Sequence, residues 1–197
     1  MSLTSDEGMI FRLFRRDPQA ASITALYGAI VAQARHPGFY LDFGVPDTPE
    51  GRFDMIVLHL ALVCRRLGRA EGPDQGPART LSQAVFDMFC RDMDHSLREM
   101  GVGDLGVPKK MQKLGEAFYG RLDAYDRALA VAGDEELAAA LRRNVLGEGA
   151  PAAPQLAAYV RTVADDLAAS AIADLGSGKL AFTDPATIAA AADEARA

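Results

Sequence analysis

Residues 48–68, TPEGRFDMIVLHLALVCRRLG, decide the fold. Thr48 followed by Pro49 is a helix start: a side-chain acceptor for the first free amides, then a proline where its missing N–H costs nothing. From Phe53 to Cys64 the run is interrupted only by Asp54 and His59, and its apolar residues fall on every side of a 3.6-residue repeat. Such a helix has to be covered all round. It is also too short and too interrupted for the roughly 20 apolar residues a membrane span needs, so the segment predicts a central helix of a soluble bundle.

Working outward, the same punctuation recurs at Asp17-Pro18 and Asp184-Pro185, and further starts fall near Thr80, Pro108, Asp134 and Pro154. That makes about seven helices. Phe86, Phe89, Cys90, Met93, Leu97 and Met100 stripe the 80–100 helix, and Met111, Leu114, Phe118, Leu122, Tyr125 and Leu129 stripe the 108–130 helix. Beyond Pro154, Leu156, Tyr159, Val160, Val163, Leu167 and Ile172 form a narrower stripe in an alanine-rich background. Strand-type alternation is absent, and the Gly/Pro-rich runs 68–78 and 146–154 read as loops. The fold class is all-α, a compact single-domain bundle. Its parts are an N-terminal segment with the first helix (1–34), a helical domain (35–175) and a short C-terminal helix and tail (176–197).

The chain has 197 residues and a net charge of -6, and the charge is uneven: residues 126–197 hold 11 acids against 6 bases, residues 1–125 hold 16 against 15. Nucleic-acid binding through bulk positive charge is disfavoured, which leaves only local basic patches to meet phosphate. Cys64 and Cys90, the two cysteines, sit in apolar helical pattern and suit reduced core thiols in the cytoplasm. The N-terminus lacks a basic start and a cleavage site, so no secretory signal is expected. Met9, Ile10, Phe11, Leu13 and Phe14 with Arg12, Arg15 and Arg16 would suit either an anionic membrane surface or packing on the bundle.

The run 101–111, GVGDLGVPKKM, contains a literal G-x-G-x-x-G. A dinucleotide site needs a strand before that motif, because the glycines let a strand-to-helix turn approach a pyrophosphate. Here a helix precedes it, so the expected structure is a helix–helix connection with Gly101 in the left-handed region and Pro108 opening the next helix. The lysines after it are less ordinary. Three of the chain's four, Lys109, Lys110 and Lys113, crowd a helix N-terminus, where positive charge opposes the macrodipole. Either Asp104 or Glu116 offsets them, or they form a contact surface for phosphate, RNA or an acidic partner.

Asp87, Arg91, Asp94 and Arg98 lie on one helical face with two acid-to-base i, i+4 pairs, a solvated stripe or a polar recognition surface. The pairs His59/Cys64 and Cys90/His95 are each five residues apart, about 140° round a helix, so neither chelates; His59 reads as a satisfied core histidine. Asp92-x-x-His95 has no second copy to complete a di-iron site. No metal, cofactor, catalytic residue or small-molecule substrate is expected.

The stretches FYLDFGVPDTPEGRFDMIVLHLALVCRRL, AVFDMFCRDMDHSLREMGVGDLGVPKKM and AFYGRLDAYDRAL resemble the ubiquinol-cytochrome c chaperone family. The resemblance covers roughly residues 35–175 and is most specific over 83–128. Asp87, Asp92, Asp94, Arg98, Gly103, Asp104, Val107, Pro108, Lys109, Met111, Tyr119, Gly120 and Arg121 carry it. It implies a non-enzymatic assembly factor for ubiquinol-cytochrome c reductase. The implied partner is cytochrome b or another assembly component, with peripheral contact at the inner membrane and ribosome or RNA contact as further implications. By that resemblance the partner surface falls on the 80–100 and 108–130 helices and their connection. Its candidate residues are Asp87, Arg91, Asp94, Arg98, Asp104, Lys109, Lys110, Lys113, Tyr119 and Arg121. An RNA- or nucleotide-binding module using the 101–113 region is the alternative. Met88, Met93, Met100 and Met111 surround the connection and suit either core filling or an adaptable client surface.

Overall fold

A computed structural model describes residues 18–194. Its α-helices are α1 (Pro18–Ala34), α2 (Pro37–Leu41), α3 (Pro49–Gly68), α4 (Gln75–Glu99), α5 (Val107–Ala130), α6 (Glu135–Leu141), α7 (Ala153–Ala169), α8 (Ile172–Gly176) and α9 (Pro185–Glu194). A 3-10 turn, Gly72–Asp74, precedes α4, and a π-type turn, Arg142–Leu146, continues α6. No strand occurs among the described residues. The seven expected helices all form, and α2 and α8 add single turns that had no separate start signal. The basic N-terminal run 9–16 lies outside the described residues.

The central position of α3 follows from its sequence. Thr48 is extended and its Oγ1 accepts from the Gly51 N–H at 3.1 Å, with Pro49 opening the helix. Gly51 is required there: a Cβ would come within 2.0 Å of the Pro46 carbonyl oxygen, because the incoming chain crosses the first turn. Every residue from Met55 to Cys64 is buried, each large apolar side chain contributing about 1.5–3 kcal/mol. Around this helix pack α1, α4, α5 and α7.

One expected boundary moves. The 68–78 run is a loop only to Glu71, and α4 begins at Gln75 rather than near Thr80. Pro77 does not prevent this, because it falls in the first turn, where amides have no intrahelical partner to lose.

Helix directions place one element beyond the rest. Phe53 stacks on Phe89 with centroids 6.2 Å apart, and Asp54 pairs with Arg121 at 2.7 Å. Phe53 and Asp54 lie within the first turns of α3, whereas Phe89 is well short of the end of α4 and Arg121 is far along α5. At 1.5 Å per residue, the distal parts of α4 and α5 therefore overhang the start of α3 by roughly 10 Å. Burial agrees: between Cys90 and Ala117 only Val107 is buried. The expected core stripe of α4 is accordingly a gradient, with Phe89 fully buried, Met93 and Leu97 half-buried and Met100 exposed.

Candidate functional site

The described residues hold two aromatic clusters with different fates. In the first, Phe39 packs on Phe43, His59 and Tyr159, and Phe182 meets His59 edge-on at 5.3 Å. The polar groups inside it are satisfied in one chain. The Met55 carbonyl can only accept, so the His59 Nδ1 carries the proton and donates to it at 2.8 Å. The Nε2 then accepts from the Tyr159 hydroxyl at 2.9 Å, whose oxygen accepts from the Gln33 Nε2 at 2.9 Å, and Gln33 also donates to the Thr183 carbonyl. Burial holds the His59 pKa down to about 4, so the ring is neutral. As expected from spacing, His59 is a satisfied core residue. Cys64 is buried too, its thiol pushed up to about 11 by burial, while Cys90 is half-buried. This cluster is structural.

The second cluster, Phe53, Phe86, Phe89, Phe118 and Tyr119, sits where the α4–α5 hairpin leaves the bundle. It stays open. Tyr119 stands 57% exposed at its edge. Beside it α3, α4 and α5 leave a cleft of about 550 Å³ lined by Cys64, Gln75, Arg79, Phe86, Tyr119 and Leu122. Past Tyr119 it gives onto a second hollow of about 350 Å³, where Arg65 and Arg69 both reach Asp126 at 2.7 Å. Tyr119, Arg79 and Gln75 give the cleft's lining polar groups, and Phe86 and Leu122 give it apolar surface.

The hairpin tip is built by local rules. Met100 is the C-cap of α4; Gly101 follows at φ 79°, its N–H reaching the Arg98 carbonyl at 2.9 Å, and the Val102 N–H reaches the Leu97 carbonyl at 3.1 Å. These are the two hydrogen bonds of a Schellman ending. The G-x-G-x-x-G run therefore connects two helices, and it lacks the strand a pyrophosphate site requires.

The structure brings most of the expected partner residues onto this hairpin. Arg98 pairs with Asp94 at 2.7 Å and with Asp104, which ties the turn to the end of α4. Asp87 is half-buried and accepts from the Gln83 Nε2 at 2.8 Å, so the expected Asp87–Arg91 pair does not form and Arg91 is exposed without an ion-pair partner among the described residues. Lys109, Lys110 and Lys113 are exposed, and none joins an ion pair among the described residues. Neither acid expected to offset them does so: Asp104 is held by Arg98, and Glu116 accepts from the Gln112 Nε2 at 3.0 Å.

Arg121 departs from the others. Its guanidinium turns inward to Asp54, both side chains about one-fifth exposed, and lies 5.9 Å from the Phe53 ring centre. Burial raises the Asp54 pKa, and the nearby guanidinium works against that rise. Beside them the Tyr125 hydroxyl is buried without a hydrogen-bond partner among the described residues, and burial pushes its pKa up. Arg121 thus joins α3 to α5.

Sequence reasoning missed the tip's apolar exposure. Leu105 is 99% exposed and Met100 69%. The available signal was a leucine set among glycines and an aspartate, with no helical stripe to place it. No group of three or more His, Cys, Asp or Glu converges on a metal position among the described residues. No helix among them is long and apolar enough to cross a membrane.

The described residues thus form an all-α bundle in which one aromatic cluster is sealed and another is left open at the α4–α5 hairpin. The chain belongs to the ubiquinol-cytochrome c chaperone family, whose family model matches residues 41–182. Membership points to a non-enzymatic, chaperone role. Among solved structures it is similar to the crystal structure of the Cbp3 homolog from Brucella abortus, at 43% identity and a TM-score of 0.78, covering 90% of this chain and 98% of that one. It is 27% identical over 121 residues to ubiquinol-cytochrome c reductase complex assembly factor 1 of Drosophila melanogaster. That match takes in 60% of this chain and 46% of the relative, so it spans about half of the relative's length.

Proposed function

We propose that this protein is an assembly chaperone of ubiquinol-cytochrome c reductase that holds cytochrome b, or another assembly component, against the α4–α5 hairpin. The observation that carries this reading is the open aromatic cluster: Tyr119 stands half out of the fold beside the cleft between α3, α4 and α5. Its binding residues are Asp87, Arg91, Asp94, Arg98, Asp104, Lys109, Lys110, Lys113 and Tyr119. Arg121 takes part by fixing α5 to α3, and so by setting the width of the cleft. A lining that mixes apolar and polar side chains would accept an apolar segment of a membrane subunit while its final neighbours are absent. The protein would work from the cytoplasm at the periphery of the inner membrane.

Deletion in the native host tests this reading. Reductase and cytochrome b levels should fall, and a chain carrying Arg91→Glu with Tyr119→Asp should fail to restore them although it folds. Normal reductase levels in the deletion strain would overturn the proposal.

A further inference from the structure

The lysines at the start of α5 have no ion-pair partner among the described residues, and they sit on the part of the α4–α5 hairpin that overhangs the start of α3. Lys109, Lys110 and Lys113 occupy the first two turns, where no acid lies in the opening turn and no side chain caps the helix. Their charges add to the positive end of the helix dipole instead of opposing it. The two nearest acids are engaged by Arg98 and Gln112. The most exposed large apolar side chain among the described residues, Leu105, lies in the turn that leads into α5, and Met100, also exposed, is the C-cap of α4.

We infer that the tip of the α4–α5 hairpin is a lipid-docking site: Leu105 and Met100 enter the interfacial region of a bilayer while Lys109, Lys110 and Lys113 meet anionic headgroups. The inference deepens the reading above, since it gives the client-holding hairpin a place to stand, and it rests on that reading only for the client. Three features select lipid. Exposed aliphatic side chains followed along the chain by unpaired lysines suit interfacial insertion, in which lysine stems lie along apolar surface with their ammonium groups at headgroup level. Residues 97–113 contain no aromatic side chain and their one arginine is engaged by Asp94 and Asp104, so the tip lacks the stacking groups that single-stranded RNA recognition employs. The chain as a whole is acidic, at -6, so an anionic surface repels most of it and admits the molecule tip first. The tip can insert without unfolding anything, because the Schellman ending and the Arg98–Asp104 pair fix its backbone from the α4 side.

The full chain is the reagent, and phosphatidylcholine vesicles with and without phosphatidylglycerol are the probe. The protein contains no tryptophan, so Leu105→Trp supplies a single reporter at the apex. Its emission should shift to the blue with phosphatidylglycerol vesicles and not with phosphatidylcholine alone, while Leu41→Trp, at an exposed apolar position outside the tip, should not shift. In flotation, the triple reversal Lys109→Glu, Lys110→Glu, Lys113→Glu should weaken binding about a hundred-fold or more, at about a fivefold loss per lysine removed from the surface. Leu105→Asp should weaken it about tenfold. Comparison with wild type cancels any contribution from Arg12, Arg15 and Arg16. Unshifted emission from the Leu105→Trp protein, unchanged flotation of both charge-bearing variants, or RNA binding through the three lysines with no vesicle binding would each overturn the inference. Because no client is present in these measurements, their failure leaves cytochrome b capture through Tyr119 standing, and failure of capture leaves lipid docking standing.

Discussion

The two aromatic clusters are made of similar residues and are used in opposite ways. Around His59 every polar group has a partner, the 177–184 segment packs on the ring through Phe182 and Thr183, and Phe39, Phe43, His59 and Tyr159 are sealed from water. Around Tyr119 the rings pack on one another but end at a cleft, and the elements that carry them run on past the bundle. A closed cluster converts aromatic area into stability, whereas an open one leaves part of that area for another chain. The difference comes from what covers each cluster, since composition alone does not separate them.

Substitutions at the closed cluster should therefore be felt in folding, and those at the open one in binding. The largest expected effect is Phe39→Ala, which removes a fully buried ring packed on Phe43, His59 and Tyr159 and should cost about 3–5 kcal/mol in urea unfolding. A loss below about 1 kcal/mol would mean that this region is not the sealed core described. Next comes pH. His59 has an ordinary value of 6.5 when unfolded and about 4 when folded, so between those values the unfolded chain binds a proton that the native ring excludes. Its contribution is complete above about pH 6.5 and is lost as pH falls toward 4, by up to about 3 kcal/mol. The difference between wild type and His59→Gln should shrink across that window; a pH-independent difference would contradict a neutral, sealed histidine.

The Asp54–Arg121 pair stands between the two regimes. Arg121→Ala should destabilise by about 2 kcal/mol, less than for a fully buried pair because both side chains retain some solvent. It should also weaken client capture, because α5 loses its anchor on α3. Smallest in stability is Tyr119→Ala, expected within about 1 kcal/mol of wild type by thermal unfolding because the ring is more than half exposed.

What the sequence made legible follows the range of the interactions involved. The central α3 was readable from its all-round apolar pattern. Gly101 was readable because a helix ending is written within six residues, and His59 because its spacing to Cys64 ruled out chelation. The start of α4 was misread where Gly and Pro suggested a loop, although a first helical turn tolerates both. The Asp87–Arg91 pair was expected on spacing, but Gln83 lies equally close on the other side of Asp87. Periodicity identifies the face of a helix and says nothing of how far that helix outruns its neighbours. The exposure of Met100 and Leu105 was therefore invisible, as was the inward turn of Arg121 toward a carboxylate 67 residues away.

The most direct test of the division between a fold-making and a partner-holding cluster is capture of cytochrome b from native membranes by Tyr119→Asp, with thermal unfolding followed on the same preparation. The account predicts a melting curve close to wild type together with loss of the captured subunit. Capture at the wild-type level by that stable variant would contradict it.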